Sequence, residues 1–160
     1  MQILFYYLCN MTIVTFDTEG VNMPDIDTGI ITTWLERVAA NHGKRLGRLA
    51  YRFCNDEYIL DANVRFLGHN YYTDIITWDY SNSKRLSGDM LISLDTVASN
   101  AALLGVSFLQ ELHRVIVHGL LHLCGIGDKA PGEREIMEQH ENAALDELTC
   151  LAWRGNATPH

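Results

Sequence analysis

Between Gln110 and Lys129 two histidines, His118 and His122, stand four residues apart in an apolar run of helical period: Leu112, Val115, Ile116, Leu120, Leu121 and Leu123, with no proline to interrupt it. Four residues advance a helix by about 400°, so the two imidazoles lie within roughly 40° of each other on one face, a turn apart. Such a pair can grip one ion. Gly125 follows closely, and glycine readily ends a helix in the left-handed conformation and turns the chain back. That turn brings Asp128 within reach of the same ion. Two imidazoles and one carboxylate leave an open position for water, the pattern of a catalytic rather than a structural zinc site. A core histidine and a surface histidine at chance spacing would explain a bare pair; Gly125 and Asp128 at these offsets shift the balance to metal. Cys124 falls on the other side of the helix and reads as a packing residue.

The chain has 160 residues, 48% of them apolar, enough to bury a substantial core in one domain. We place that domain at residues 11–153, with 1–10 as an upstream extension and 154–160 as a tail. Met11 begins Met-Thr-Ile-Val-Thr-Phe, which alternates as a first strand should, so Met11 rather than Met1 is a candidate start. The longest unbroken apolar stretch, Ile3 to Cys9, is far short of the ~20 residues that cross a membrane, and it lacks the basic flank of a signal peptide. Cys9, Cys54, Cys124 and Cys150 form no C-x-x-C pair and suggest no disulfide framework, so a reducing, cytoplasmic setting is expected. A net charge of −8 argues against a general nucleic-acid coat. Charge is nevertheless segregated: Lys44, Arg45, Arg48 and Arg52 cluster, while Glu133, Glu135, Glu138, Glu141, Asp146 and Glu147 load the C-terminal segment. One side of the fold can therefore still meet a polyanion.

The pattern along the chain predicts a strand at Met11–Phe16, closed by the turn residues 17–20. A helix capped by Asp27 or Thr28 follows to about Asn41, then a strand over Arg48–Cys54 and a short helix from Asn55 or Asp56. Tyr71–Tyr80 reads as a strand, Ser81–Ser87 as a loop and Gly88–Leu94 as a further strand. Asp95 is the expected cap of a helix to Leu104. Ser107 with Gln110 forms a capping box for the histidine helix, and Pro131 opens a last helix to about Trp153 with Ile136, Met137, Ala143, Ala144, Leu145, Leu148 and Leu151 inward. The order β-α-β-α-β-β-α-α-α implies an α+β domain, a four-stranded mixed sheet covered by helices, with the metal site on a central helix and the turn after it.

Zinc proteases carry His-Glu-x-x-His on a helix, the glutamate acting as general base; here that position is Gly119. The run His118-Gly119-Leu120-Leu121-His122-Leu123-x-Gly125-x-x-Asp128 resembles instead the hallmark of the YbeY family of single-strand-specific endoribonucleases and ribosomal RNA maturation factors. Tyr72-Thr73-Asp74-Ile75-Ile76-Thr77-Trp78 resembles that family's Pro-Thr-Asp-Val-Leu-Ser-Phe stretch, and Gly88-Asp89-Met90-Leu91-Ile92 its Gly-Asp-Ile strand. The matches keep their order from Leu60 to about Leu148. Two positions depart from the family: Asp128 stands where its commonest third ligand is His, and Phe66-Leu67 where it carries Tyr-Arg. Aspartate is the harder ligand, which bears on metal preference.

The resemblance implies a zinc-dependent endoribonuclease with one Zn2+ per chain on His118, His122 and Asp128. Metal-bound water would attack a phosphodiester while a nearby cation stabilises the charge that develops. With Leu67 in place of the family arginine, that cation is expected among Arg65, Lys84 and Lys129. Asp74, at a strand end, is expected to orient a ligand histidine from behind; a plain turn carboxylate is the competing reading. His113, about 140° from His118 around the helix, and His140, on a separate acidic helix, are not expected to be ligands. The implied partners are ribosomal RNA and the small ribosomal subunit, without membrane or DNA, and the implied role is ribosomal RNA maturation and ribosome quality control. A non-catalytic, metal-stabilised ribosome assembly factor is the first alternative. A metallopeptidase, weakened by Gly119, is the second.

Overall fold

The computed structural model of the chain describes residues 11–69 and 73–155. Among them are the strands β1 (Ile13–Thr18), β2 (Arg45–Cys54), β3 (Ile75–Asp79) and β4 (Arg85–Ser93). The α-helices are α1 (Thr28–Asn41), α2 (Asp56–Ala62), α3 (Leu94–Leu104), α4 (Phe108–Leu123) and α5 (Glu133–Gly155), and a π turn over Asn63–Leu67 continues α2. The expected element order and the mixed four-stranded sheet are both present. Strand order is β1-β2-β4-β3, with β1, β2 and β4 parallel and β3 antiparallel to β4, so β3 is an edge strand.

On one face of the sheet, which we call the inner face, α1, α4 and α5 bury the main core: Trp34, Leu35, Ile116 and Leu120 meet Leu49, Tyr51, Phe53 and Met90. The polar tips inside this core are satisfied. The Trp34 Nε1–H donates to the Ala144 carbonyl (2.7 Å) and the Tyr51 hydroxyl to the Ile116 carbonyl (3.1 Å), which pins α5 to α1 and α4 to the sheet. Among the described residues, the outer face is covered only toward one end, where α2 packs Ile59 and Ala62 against Cys54, Ile76 and Leu91.

Several boundaries differ from the sequence pattern for identifiable reasons. β2 starts at Arg45 rather than Arg48 because a bulge between Leu46 and Leu49 shifts its side-chain phase, which a strict period of two misses. β4 likewise starts at Arg85, inside the expected loop, since pairing with β2 continues there. β1 extends through Asp17 and Thr18, with Asp17 ion-paired to Arg52, its register partner (2.9 Å). Ser93, not Asp95, caps α3, and α5 begins at Glu133, after Pro131. On α5 the buried stripe is Met137, Glu141, Ala144 and Leu148; Ile136 and Ala143 face outward. The proposed extension at 1–10, the strand residues Tyr71 and Tyr72, and the last residues of the tail lie outside the described residues.

The capping box is present as read: Ser107 Oγ accepts from the Gln110 N–H (3.1 Å) while Gln110 Oε1 accepts from the Ser107 N–H (2.9 Å). In the C-terminal third of α4, Gly119 lies against the sheet so closely that an added Cβ would be 2.8 Å from Ile75 Cδ1 and 3.1 Å from Met90 Cγ. A side chain at the position that carries the protease glutamate therefore has to displace Ile75 and Met90. We expect Gly119→Ala to be destabilising by about 1 kcal/mol, overpacking outweighing the better helix propensity. Gly119→Glu, which buries an unpaired carboxylate, should cost more than ~3 kcal/mol. Urea unfolding midpoints measure both, and a wild-type midpoint for Gly119→Glu would contradict the packing.

Candidate metal centre

The C-terminal end of α4 is built to return the chain. Cys124 caps the helix, Gly125 takes φ +90°, and the Ile126 N–H donates to the Leu121 carbonyl (3.1 Å). This is the left-handed helix end expected of Gly125. The loop that follows is held by Glu133, whose carboxylate accepts from the N–H groups of Lys129 (3.2 Å) and Ala130 (2.9 Å) and lies where a side chain on Gly127 would be. Asp128 is thereby set beside the histidines.

His118 Nε2 and His122 Nε2 are 2.9 Å apart, and Asp128 Oδ2 is 3.4 Å from each. Two imidazole nitrogens and a carboxylate oxygen thus converge on one point, and His118, His122 and Asp128 could hold a metal ion. The other side of His118 fixes its tautomer. Its Nδ1 lies 2.6 Å from Glu141 Oε1, so a proton on Nδ1 donated to that carboxylate leaves the Nε2 lone pair facing the centre. Glu141 in turn accepts from the Arg114 guanidinium through Oε2 (3.0 Å), and Arg114 also donates to Asn142 Oδ1 (3.2 Å). Arg114 Nε lies 3.8 Å from Glu111 Oε2, an atom that has no hydrogen-bond partner among the described residues although Glu111 is only 4% exposed.

Burial works against protonating His118, but Glu141, Asp74 and Asp128 outweigh it and raise its pKa. Burial and then the neighbouring His118 hold His122 below the ordinary histidine value. Burial also raises the Asp74 and Glu111 carboxyls above the usual range. The donor chemistry suits a divalent cation of borderline softness: neutral imidazole is favoured at His122, and an anion stands behind His118.

Two clefts meet at the centre. One, about 580 Å3, runs between α3, α4 and α5 and includes Asp74, Arg114, His118, Asp128 and Arg134. The other, about 490 Å3, runs along β3 and includes Leu67, His69, Asp74, His122 and Lys129. Asp74, just ahead of β3, thus borders both clefts, and Lys129 borders the second. Arg65 and Lys84 line neither: Arg65 is exposed and paired with Asp61 (3.1 Å), and Lys84 sits in the turn between β3 and β4. His113 packs edge-on against Trp34, and His140 against His42. Cys124 packs against the main core, its thiol pushed up to about 11 by burial.

The sequence pattern missed Glu141, Arg114 and Glu111. Two signals were present. Arg114 stands four residues before His118 on the same helix face, and Glu141 interrupts the stripe formed by Met137, Ala144 and Leu148. The geometry predicts that Glu141→Ala lowers metal affinity by about 10–100-fold, with Glu141→Gln, still able to accept from Nδ1–H, at the low end. Competition against a chromophoric chelator measures this, and an unchanged affinity in a folded Glu141→Ala protein would contradict the role.

Comparison with known proteins finds relatives over most of the chain. The sequence profile described as Endoribonuclease YbeY matches residues 15–149. A Bacteroides thetaiotaomicron protein named Endoribonuclease YbeY is 61% identical over 132 residues, covering 82% of this chain and 96% of that protein. A Porphyromonas gingivalis protein of the same name is 49% identical over 135 residues, covering 84% and 89%. The solution structure of a Thermotoga maritima protein superposes with a TM-score of 0.59 at 22% identity, covering 91% of this chain and 94% of that one, which shows a shared fold. With the profile and these relatives spanning most of its length, the chain belongs to the endoribonuclease YbeY family.

Proposed function

We propose that this chain is a zinc-dependent endoribonuclease that cuts single-stranded RNA and serves in ribosomal RNA maturation and ribosome quality control. The observation that carries the reading is the convergence of His118 Nε2, His122 Nε2 and Asp128 Oδ2 at the junction of two clefts. High identity to proteins named as endoribonucleases supports the reaction class. Held by these three groups, a zinc ion supplies Lewis-acid activation of water and polarisation of a phosphoryl oxygen.

The chain's own residues do the remaining work. Glu141 holds the His118 ring in the ligating tautomer, and Arg114 holds Glu141. Asp74, its carboxyl more readily protonated than usual because it is buried, is suited to pass a proton to the departing oxygen. Lys129 in one cleft and Arg134 in the other flank the centre and are the cations proposed to grip the phosphates on either side of the cut. They would supply the charge that Leu67 does not.

Four experiments test this. His118→Ala should reduce cleavage of single-stranded RNA by more than ~100-fold, beyond what loss of a group behind a ligand costs. Normal ribosomal RNA maturation in cells carrying a folded His118→Ala protein would favour the non-catalytic assembly role. Zinc at about 100 times its Kd should stabilise the wild-type chain by about 2.7 kcal/mol, and the Asp128→Ala protein much less. Equal zinc content in wild type and Asp128→Ala would rule out the three-ligand set.

A further inference from the structure

The outer face of the sheet carries a second arrangement that the metal centre does not use. On a regular strand, residues three apart point to opposite faces, but the bulge between Leu46 and Leu49 leaves both Arg45 and Arg48 exposed. Gly47 is what lets β4 cross there. A Cβ on it would lie 2.5 Å from Ser87 Oγ and 2.7 Å from Arg85 Cδ, and Ser87 Oγ accepts from the Arg48 N–H (3.3 Å). Arg45 is the register partner of Arg85, and Leu46 of Leu86; since both leucines are buried in the main core, both arginines share the outer face. Lys44 and Lys84 flank them at the strand starts. Five of the 12 lysines and arginines are thus gathered at one end of a chain of net charge −8, and no acidic residue occurs between Glu36 and Asp56 or between Asp79 and Asp89. The acids facing this surface are Asp17, ion-paired with Arg52, and Asp89 beyond Ser87.

Aromatic residues lie on and just after the strand next to β4. Trp78 sits on the outer face of β3 with Phe66 edge-on to it (5.9 Å). Tyr80, two residues on, is tied to β4 by its N–H to the Ser87 carbonyl (2.8 Å) and is 63% exposed. The cleft along β3 includes Ile75, which faces Gly119, and Ile76, which packs under α2, so residues from both faces of the edge strand border it together with His122 and Lys129. Trp78 belongs to that same strand, and Tyr80 follows directly after it.

We propose that this outer face is a second, non-catalytic binding surface for single-stranded RNA, in which Arg45 and Arg48, with Arg85 beside them, hold phosphates and Tyr80 stacks a base. The inference rests on the reading of the chain as an RNA-cutting enzyme and adds to it where the uncut part of the strand is held. Guanidinium forks match phosphate oxygens, and unstacked bases lie on aromatic rings at an open sheet face. A strand crossing the edge at β3 reaches both. An acidic protein segment would use the arginines but has no need of an exposed ring beside them.

The test measures poly(U) binding to the full chain across a salt series, with chelator present to suppress cleavage. R45E/R48E should weaken binding at low salt by about tenfold or more and reduce the slope of log affinity against log salt by about 0.7 for each phosphate no longer held. Tyr80→Ala should weaken it by about 5- to 100-fold with the slope unchanged. Cleavage of an oligouridylate too short to reach from the centre to this face should be unaltered in both. Wild-type affinity for poly(U) in R45E/R48E, with folding verified by circular dichroism, would overturn the proposal. So would loss of heparin binding as severe as loss of poly(U) binding together with a silent Tyr80→Ala, which assigns the face to acidic partners in general. A chain that binds poly(U) through these arginines but cuts no RNA would sink the nuclease reading and leave this surface standing, so the two failures are distinguishable.

Discussion

The centre depends on how closely α4 approaches β3 and β4. At Gly119 the helix backbone meets Ile75 and Met90 with no side chain between them. One residue before it is His118, and three residues after it is His122. The depth of the helix therefore sets the depth of both imidazoles at the edge of the sheet. Asp128 is a short side chain, and it meets Nε2 of both rings because Gly125 ends the helix within a turn of His122 and Glu133 folds the loop behind it. A side chain at 119 would have to displace Ile75 or Met90 or push the helix away from the sheet. The same close approach separates this chain from proteases with His-Glu-x-x-His: the site of their general base is filled by the sheet.

The ligand set was legible in the sequence because all three residues are local. His118 and His122 share a helix face, and Asp128 follows one helix end, so periodicity and a glycine suffice to bring them together. The capping box and the order of elements were legible for the same reason. Glu141 lies 23 residues from His118 on another helix, and only the packing of α5 against α4 joins them. Its clue was a carboxylate within an apolar stripe, a placement that burial penalises unless a partner is waiting. The bulge at Gly47 was hidden for a different reason: it changes side-chain phase within one strand, which alternation counted residue by residue reads as a strand end. Arg65 and Lys84 were chosen for charge and nearness in sequence, and the fold gives neither a place in the clefts beside the triad.

Burial and an excess of carboxylates together set the titration of the centre. Asp74, Asp128, Glu111 and Glu141 gather about His118, with Arg114 held between Glu111 and Glu141. One guanidinium cannot neutralise four carboxylates in a half-dry pocket. Burial holds the Asp74 and Glu111 carboxyls above the usual carboxylate range, and at His118, where burial acts the other way, the carboxylates around it win and raise its pKa. A cation at the convergence of His118, His122 and Asp128 would relieve the same imbalance. The buried Glu111 Oε2, which has no hydrogen bond among the described residues, marks where compensation by the protein is thinnest.

The net charge of −8 is an average over surfaces that folding keeps apart. Glu138 and Glu141 of α5, Glu111 of α4 and Asp128 of the loop after it line the clefts at the centre, where anions are useful as ligands and as partners to ligands. The arginines at the start of β2 and β4 collect on the reverse of the sheet, where the bulge at Gly47 turns Arg48 to the side of Arg45. A polyanion repelled by the whole molecule at long range can still be held at short range, since screening at physiological salt limits exposed charges to an influence of about 8 Å. What decides such binding is the local count of cations along the path a strand can follow. On this chain the edge strand β3 lies between the two regions, with Ile75 on the side of α4 and Trp78 on the side of the sheet that carries the arginines.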